Sequence, residues 1–286
     1  MTGRPRPGPR SRAFAQVDVF SATPYLGNPV AVVLDGEGLT DADMQRVARW
    51  TNLSETTFLL PPTVPGADYR LRIFTLGGEL PFGGHPTLGS AHAWLDHGGT
   101  PRDPARIVQE CGAGLVEVRR GAELSFAAPP TLRSGELDEG DLAPLVAALG
   151  VDRSAVLASQ WVDNGPGWAV LRLATAEEVL ALEPDLTQVP TAMFGVIGAY
   201  PDGARHAFEM RTFAPGAGVA EDPAAGSMNA SVGQWLTSSQ PHLRSYRVSQ
   251  GARLGRAAEI AVSADPDGTV WVGGPTTTCV RGTAFV

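Results

Sequence analysis

An internal repeat constrains this chain of 286 residues more than any other feature of its sequence. The first half contains RIFTLG, residues 72–77, and the second half contains RTFAPG, residues 211–216, which lies 139 positions further on. The similarity continues with GHPTLGSAHAWL, residues 84–95, which corresponds to GSMNASVGQWL, residues 226–236, with one residue's difference in length. Because such a repeat indicates a duplicated supersecondary unit, it predicts two related halves with equivalent strand-to-helix corners.

Strand and helix patterns alternate in both halves. AQVDVF and PVAVVLD predict a hairpin, and TDADMQRVARW then predicts a helix with Thr40 as its N-cap and Met44 on its buried face. ETTFLL, YRLRIF, RIVQECGAGLVEVRR and LSFAAP predict strands. In the second half AVLASQWV, GWAVLRL, AMFGVIGAY and HAFEMRTF predict strands, and AEEVLAL a short helix. Three tryptophans are predicted to be core residues: Trp50, Trp94 and Trp235.

Composition argues against nucleic-acid and membrane functions. The net charge is −8, and the few basic residues are scattered, whereas phosphate binding needs clustered Lys and Arg. No segment has the ~18 consecutive apolar residues that a membrane helix needs. The two cysteines, Cys111 and Cys279, provide no disulfide framework and indicate a reducing cytoplasm. These features predict a cytoplasmic protein that binds a small molecule.

The sequence also predicts the limits of the domains. Residues 1–12 are basic and rich in Pro and Gly, which predicts a disordered tail without an export signal. Residues 13–128 form the predicted N-terminal lobe and residues 129–276 the C-terminal lobe. Residues 277–286 are predicted to return to the N-terminal lobe.

The two strand-to-helix corners have the composition of an anion-binding site. Pro86 suits the first turn of a helix, so the first helix is predicted to begin at about His85, after a flexible Gly83-Gly84 pair. Gly226 and Ser227 begin the corresponding helix of the second half. A helix start has unpaired N–H groups and the positive end of the dipole, so each corner can hold a carboxylate. Halves related by a pseudo-twofold axis would turn both corners toward one cleft.

Four side chains near these corners can transfer protons or donate hydrogen bonds, and each also has a purely structural interpretation. Glu55 precedes a strand, where a glutamate is usually solvated. Asp222 precedes a proline and can form a turn. Ser227 can be an N-cap, and His85 can merely cap its helix.

Several motifs together resemble the PhzF family of phenazine-biosynthesis isomerases, within the diaminopimelate-epimerase superfamily. NLSETTF, LPFGGHPTLG and EDPAAGS occur in this order, with GNPVAV before them and QGARLGR after them. The resemblance runs from about Phe14 to the last residue. It implies an α+β fold of two pseudo-symmetric lobes, each a curled, mostly antiparallel sheet around a central helix, with the active site between them. It also implies a homodimer.

The resemblance further implies a cofactor-independent isomerase that uses no metal and acts on a small cyclic amino acid. Glu55 would be the acid/base, with a pKa raised by a closed, partly apolar cleft. His85 and Asp222 would assist it as catalytic groups. The predicted substrate-binding residues are Ser54, Gly84, Gly226, Ser227, Met228 and Asn229.

One departure from the family pattern leaves the substrate open. Met228 and Asn229 follow the serine where two small residues are common, and their position in the first helical turn can change the pocket. The alternatives are therefore a phenazine-type isomerase, a double-bond isomerase of alkylproline precursors in an antibiotic pathway, and a non-catalytic protein that binds a small carboxylate.

Three other enzyme classes fit the sequence poorly. A racemase with two catalytic thiols would need cysteines at the corners, where this chain has glycine and serine. His92 and His97 flank Asp96 at a predicted helix end, without a metal-binding motif. A serine hydrolase is disfavoured because no glycine stands two residues after Ser227.

Overall fold

The structure is a computed structural model, which describes residues 9–240 and 242–286. The described helices are α1 Asp41–Thr51, α2 Gly84–Asp96, α3 Glu139–Leu149, α4 Ala176–Ala181 and α5 Gly226–Ser239. The described strands are β1 Ser11–Val19, β2 Asn28–Val33, β3 Thr56–Leu60, β4 Tyr69–Phe74, β5 Glu79–Leu80, β6 Arg106–Cys111, β7 Gly114–Arg120, β8 Leu124–Ala127, β9 Arg133–Gly135, β10 Ala158–Asp163, β11 Ala169–Thr175, β12 Phe194–Ala199, β13 Phe208–Ala214, β14 Val219–Asp222, β15 Ser245–Gln250, β16 Ala258–Ala264, β17 Val270–Gly274 and β18 Thr276–Phe285.

These elements form two compact units. Unit 1 contains residues 9–25, 29–126 and 276–286, and unit 2 contains residues 26–28 and 127–275. The last strand, β18, therefore belongs to the same unit as β1.

The two units repeat one pattern of strand pairing. In unit 1, β2 is parallel to β3, β3 is antiparallel to β4, and β4 is antiparallel to β5 and parallel to β6. In unit 2, β11, β12, β13, β14 and β15 pair in the same order and directions. The arginines of the sequence repeat hold equivalent register positions, because Arg72 pairs with Phe58 and Arg211 with Val196. The predicted α+β fold of two pseudo-symmetric lobes is confirmed.

The parallel strand pairs are joined by helices with matching N-terminal caps. α1 connects β2 to β3, and α4 connects β11 to β12. Thr40 and Asp43 form a capping box at α1, and Thr175 and Glu178 form one at α4. Each box satisfies two backbone N–H groups that a helix start leaves unpaired. The predicted Thr40 N-cap is confirmed.

α2 and α5 are the central helices of the two units. In α2 every residue from Gly84 to Ala91 is buried, and α5 is buried along most of its first two turns. A helix buried on all sides needs close contact with its sheet, and Gly89 provides it, because a Cβ there would lie 2.3 Å from Val30 Cγ1. Within the described residues, no helix is long and apolar enough to cross a membrane.

β1 extends into the segment predicted as a disordered tail. Residues 1–8 of that tail lie outside the described residues, but β1 begins at Ser11, which pairs with Phe285 of β18. Arg12 is 3% exposed, and its guanidinium donates to the carbonyls of Asp35, Glu37 and Val286. These backbone acceptors explain why a charged residue is buried at the start of the strand.

Some local predictions were wrong. Trp50 is 84% exposed, because it lies off the α1 face that buries Met44 and Ala48. α3, which contains a proline, is not among the predicted elements. RIVQECGAGLVEVRR is strand as predicted, but it forms two strands, the hairpin of β6 and β7. The sequence also predicts that Cys111 and Cys279 are small buried apolar residues, whereas both are partly exposed.

Replacing Gly89 tests the close packing of α2. We expect Gly89→Ala to lower the free energy of unfolding by about 1–3 kcal/mol, because its methyl group would overlap Val30 and Val19. The control is Gly282→Ala in β18, where a Cβ meets no atom within 4 Å. Urea unfolding of both variants gives the two values, and equal stability of the two variants would contradict this account of α2.

Candidate active site

The strand-to-helix corner of unit 1, residues 80–86, places His85 in the first turn of α2. The N-cap of this helix is Gly83, and no side chain caps it. His85 therefore does not cap the helix, and the purely structural interpretation, in which it only serves as a cap, is wrong. The side chain is buried, with 4% of the residue exposed.

Glu55 meets His85 from the start of β3. The carbonyl oxygen of Glu55 accepts a 3.4 Å hydrogen bond from the Ala31 N–H of β2, which fixes the backbone before the strand. Oε2 of Glu55 lies 3.2 Å from Nε2 of His85, and the Glu55 side chain is only 17% exposed. The structure thus brings the two predicted catalytic groups of unit 1 together, and Glu55 is not an ordinary surface carboxylate.

Burial determines the charge of His85. It lowers the pKa of the imidazole from 6.5 to about 3, although a hydrogen bond to the backbone of Pro29 partly opposes the shift. At neutral pH the ring is therefore uncharged. Its contact with Glu55 joins a carboxyl group to a neutral imidazole and is not an ion pair.

The corresponding corner of unit 2, residues 222–227, holds a second carboxyl group. Asp222 ends β14, and its Oδ1 accepts hydrogen bonds of 2.9 Å from both the Asn28 side chain and the Ala224 N–H. Burial raises the pKa of Asp222 to about 6, while these two hydrogen bonds oppose the rise. Asp222 thus forms the turn that its position before a proline predicts. It also has a pKa close to neutrality.

Ser227 is held by Trp168 and Asn164, two residues that no sequence motif indicated. Ala225 is the N-cap of α5 and makes no side-chain cap, so Ser227 is not the capping residue. Its Oγ accepts a 3.1 Å hydrogen bond from Trp168 Nε1, and its carbonyl accepts one of 3.1 Å from Asn164. An indole N–H only donates, so the Ser227 hydroxyl keeps its own hydrogen for another acceptor.

The remaining predicted binding residues lie at or beside the corners. Gly84 and Gly226 are the first residues of α2 and α5, and both are buried. Ser54 is partly exposed and directly precedes Glu55. Their roles as substrate contacts stay predictions.

Met228 and Asn229 point into unit 2. Met228 is fully buried, and its Sδ and Cε pack against Gly195. Asn229 is 1% exposed and donates to the Ala225 carbonyl and to Gln250 Oε1. These two residues shape the corner from inside, and their predicted direct contact with substrate stays a prediction.

Each corner therefore holds one carboxyl group in partly buried surroundings. In unit 1 the carboxyl contacts a neutral imidazole, and in unit 2 it accepts hydrogen bonds from an amide side chain and a backbone amide. Asp222, whose pKa is raised to about 6, can take up or release a proton close to neutral pH. The arrangement is suited to proton transfer.

The comparisons with known proteins agree on one family. Residues 17–286 match the family described as PhzC-PhzF, phenazine biosynthesis-like protein. Antisense-enhancing sequence 1 of Schizosaccharomyces pombe is 40% identical, over 96% of this chain and 99% of its own. The trans-2,3-dihydro-3-hydroxyanthranilate isomerase of Pseudomonas aeruginosa is 33% identical, over 89% of this chain and 91% of its own. A PhzF-family structure from Enterococcus faecalis has the same fold, with a TM-score of 0.82 and 23% identity over 97% of this chain and 100% of its own.

The buried neutral His85 gives a pH dependence of stability. Between about pH 6.5 and 3 the unfolded chain binds a proton at His85 that the folded chain does not, so the folded state loses stability as the pH falls. We expect the stability of wild type relative to His85→Gln to fall by ~1 kcal/mol per pH unit below pH 6.5. Urea unfolding at several pH values measures this difference. A difference that stays constant with pH would show that His85 titrates normally.

Proposed function

This chain belongs to the phenazine biosynthesis-like protein family and is a PhzF-like isomerase, and we propose that it moves a proton, and with it a double bond, within a small cyclic amino-acid-like carboxylate. Glu55 is the acid/base. The observation that carries this proposal is the 3.2 Å contact between the Glu55 carboxyl group and the buried, uncharged imidazole of His85.

The protonation state of His85 supports the assignment of Glu55. The backbone of a proline offers only a carbonyl, so the imidazole is the donor in its hydrogen bond to Pro29. A neutral imidazole has a single N–H, and that bond uses it. Nε2, which lies 3.2 Å from Glu55 Oε2, then has a lone pair that can accept a hydrogen bond from a protonated carboxyl group. Such a hydrogen bond would stabilise the acid form of Glu55, the form that can donate a proton to substrate.

The proposed reaction balances without a second reactant. The Glu55 carboxylate takes a proton from an activated carbon, the C–H electron pair enters the conjugated system, and the double bond moves. The same carboxyl group then returns the proton to another carbon of that system. One group that alternates between base and acid is enough, because the substrate and product are isomers.

Hydrogen-bond donors support a carboxylate as the substrate class. The first turn of α5 presents backbone N–H groups, and the Ser227 hydroxyl, with its oxygen already bonded to Trp168, can donate to an anion. The isomerase of Pseudomonas aeruginosa, 33% identical, is named for an anthranilate derivative, which has a carboxylate on a ring. A phenazine-type dihydro-hydroxyanthranilate is therefore the first substrate to test, and an alkylproline precursor from an antibiotic pathway is the alternative.

Replacing Glu55 tests the proposed function. We expect Glu55→Gln to remain folded and to bind ligand, but to lose turnover by a factor of about 10²–10⁴, because an amide cannot exchange a proton with carbon. The assay is proton NMR in heavy water with trans-2,3-dihydro-3-hydroxyanthranilate. The control is Glu37→Gln, because the Glu37 side chain is exposed.

Both outcomes of this experiment are informative. Conversion by wild type and Glu37→Gln, lost in Glu55→Gln, would support the isomerase and its substrate. Near-wild-type turnover of Glu55→Gln would overturn the role of Glu55. If folded wild type converts none of this compound, the compound is excluded as the substrate, and alkylproline precursors are tested next.

A non-catalytic binding protein is the second candidate. The relative from Schizosaccharomyces pombe, 40% identical to this chain, has a name that states no reaction. This candidate predicts that a small carboxylate binds wild type and Glu55→Gln alike and is recovered unchanged from both. The homodimer and the cytoplasmic location stay predictions.

A further inference from the structure

Three motifs from distant parts of the sequence meet at the corner of unit 2. Asn28, from GNPVAV, donates to the Asp222 side chain, and Gln250, from QGARLGR, donates to the Asp222 carbonyl over 3.0 Å. Arg256, at the end of the same motif, donates to the Gly27 carbonyl over 3.2 Å. The proposed function gives no role to either GNPVAV or QGARLGR, although they are the parts of the chain that hold the segment around Asp222.

The hydrogen bonds on Asp222 distinguish its two carboxyl oxygens. Oδ1 accepts from Asn28 Nδ2 and from the Ala224 N–H, each over 2.9 Å. Within the part of the chain that the structure describes, Oδ2 accepts none. Asn28 is fully buried, and its amide also donates to the Ala224 carbonyl over 2.9 Å, which fixes the orientation of the amide group.

The backbone around this corner is held closely. Gly251 has a φ of 92°, and a Cβ there would lie 2.6 Å from the Pro223 carbonyl oxygen. Gln250 Oε1 also accepts from Asn229 and from the Ala225 N–H, so one side chain bridges the end of β14 and the start of α5. This packing leaves Asp222 little freedom to turn.

We propose that Asn28 is a positioning residue for Asp222. Asn28 and the Ala224 N–H together occupy Oδ1 of Asp222 and so direct proton exchange and ligand contact to Oδ2. This inference rests on the proposed function only in taking Asp222 as a group of the active site. The motif QGARLGR supports the arrangement by holding the backbone on both sides: Gln250 holds Asp222, and Arg256 holds the segment that carries Asn28.

The charged groups around Asp222 do not explain the arrangement by themselves. Glu221 precedes it and raises its pKa, but both Glu221 oxygens accept hydrogen bonds from Arg211, at 2.9 and 2.8 Å. The guanidinium of Arg256 is directed to the Gly27 carbonyl. The hydrogen bond from Asn28 therefore remains the side-chain contact that favours the ionised form of Asp222.

Carboxyl-carbon NMR of protein labelled at aspartate tests this inference without substrate. The Asp222 signal, assigned with Asp222→Asn, is expected to titrate near pH 6 in wild type. In Asn28→Ala we expect the midpoint to rise by about one pH unit, because a hydrogen bond to the charged form is lost. Asn28→Asp keeps the size of the side chain but replaces the donor by an acceptor, so it should raise the midpoint further and serves if the alanine variant does not fold.

The control for a merely structural effect is Gln109→Ala. Gln109 is also a fully buried amide, and it contacts Tyr69 and Thr87 in unit 1. It should lower thermal stability and leave the Asp222 midpoint unchanged. A folded Asn28 variant with an unshifted midpoint would overturn the proposal.

The same variants separate this inference from the proposed function. A shifted midpoint in a protein that converts no test substrate supports the role of Asn28 and counts against the proposed function alone. If turnover is found, its pH profile should move with the Asp222 midpoint. Turnover with an unmoved midpoint and an unmoved profile would count against Asn28 alone.

Discussion

The structure depends on the enclosure of two central helices within their own sheets. α2 is buried without interruption from Gly84 to Ala91, and α5 is buried along most of its first two turns. A helix without a solvated face must be matched closely by its surroundings, as the space around Gly89 shows. Enclosure also removes the first helical turn from bulk water, and this is why His85 stays neutral at pH 7.

Burial shifts the pKa values of the site groups in opposite directions in the two units. In unit 1, burial acts on a base and lowers its pKa, and in unit 2 it acts on an acid and raises its pKa. Both shifts favour the uncharged form, as desolvation requires. The duplicated strand order thus accounts for the positions of His85 and Asp222, whereas the identity of each residue accounts for the direction of its shift.

The elements were more predictable from the sequence than the contacts of the site. Thr40 and the start of α2 were predicted because capping residues and Pro86 act locally. The candidate groups at the corners, His85, Asp222 and Ser227, could also be predicted from the sequence, since they lie within or beside the repeated segments. The hydrogen bond from Asn28 to Asp222 spans 194 positions, and no local pattern indicates it. Pro144 within α3 explains another omission, because an internal proline normally argues against a helix.

The pairing of β1 with β18 has a consequence for biosynthesis. The backbone groups of Arg10 and Val286 exchange hydrogen bonds of 2.9 and 3.0 Å, so unit 1 includes a strand that is synthesised after all of unit 2. Residues 127–275 of unit 2 are continuous and are made before it. During synthesis, unit 2 can therefore complete its sheet first. β1 cannot pair until β18, which lies more than 250 residues further along the chain, has been made. The unit that contains Glu55 and His85 is therefore the later of the two to complete its sheet.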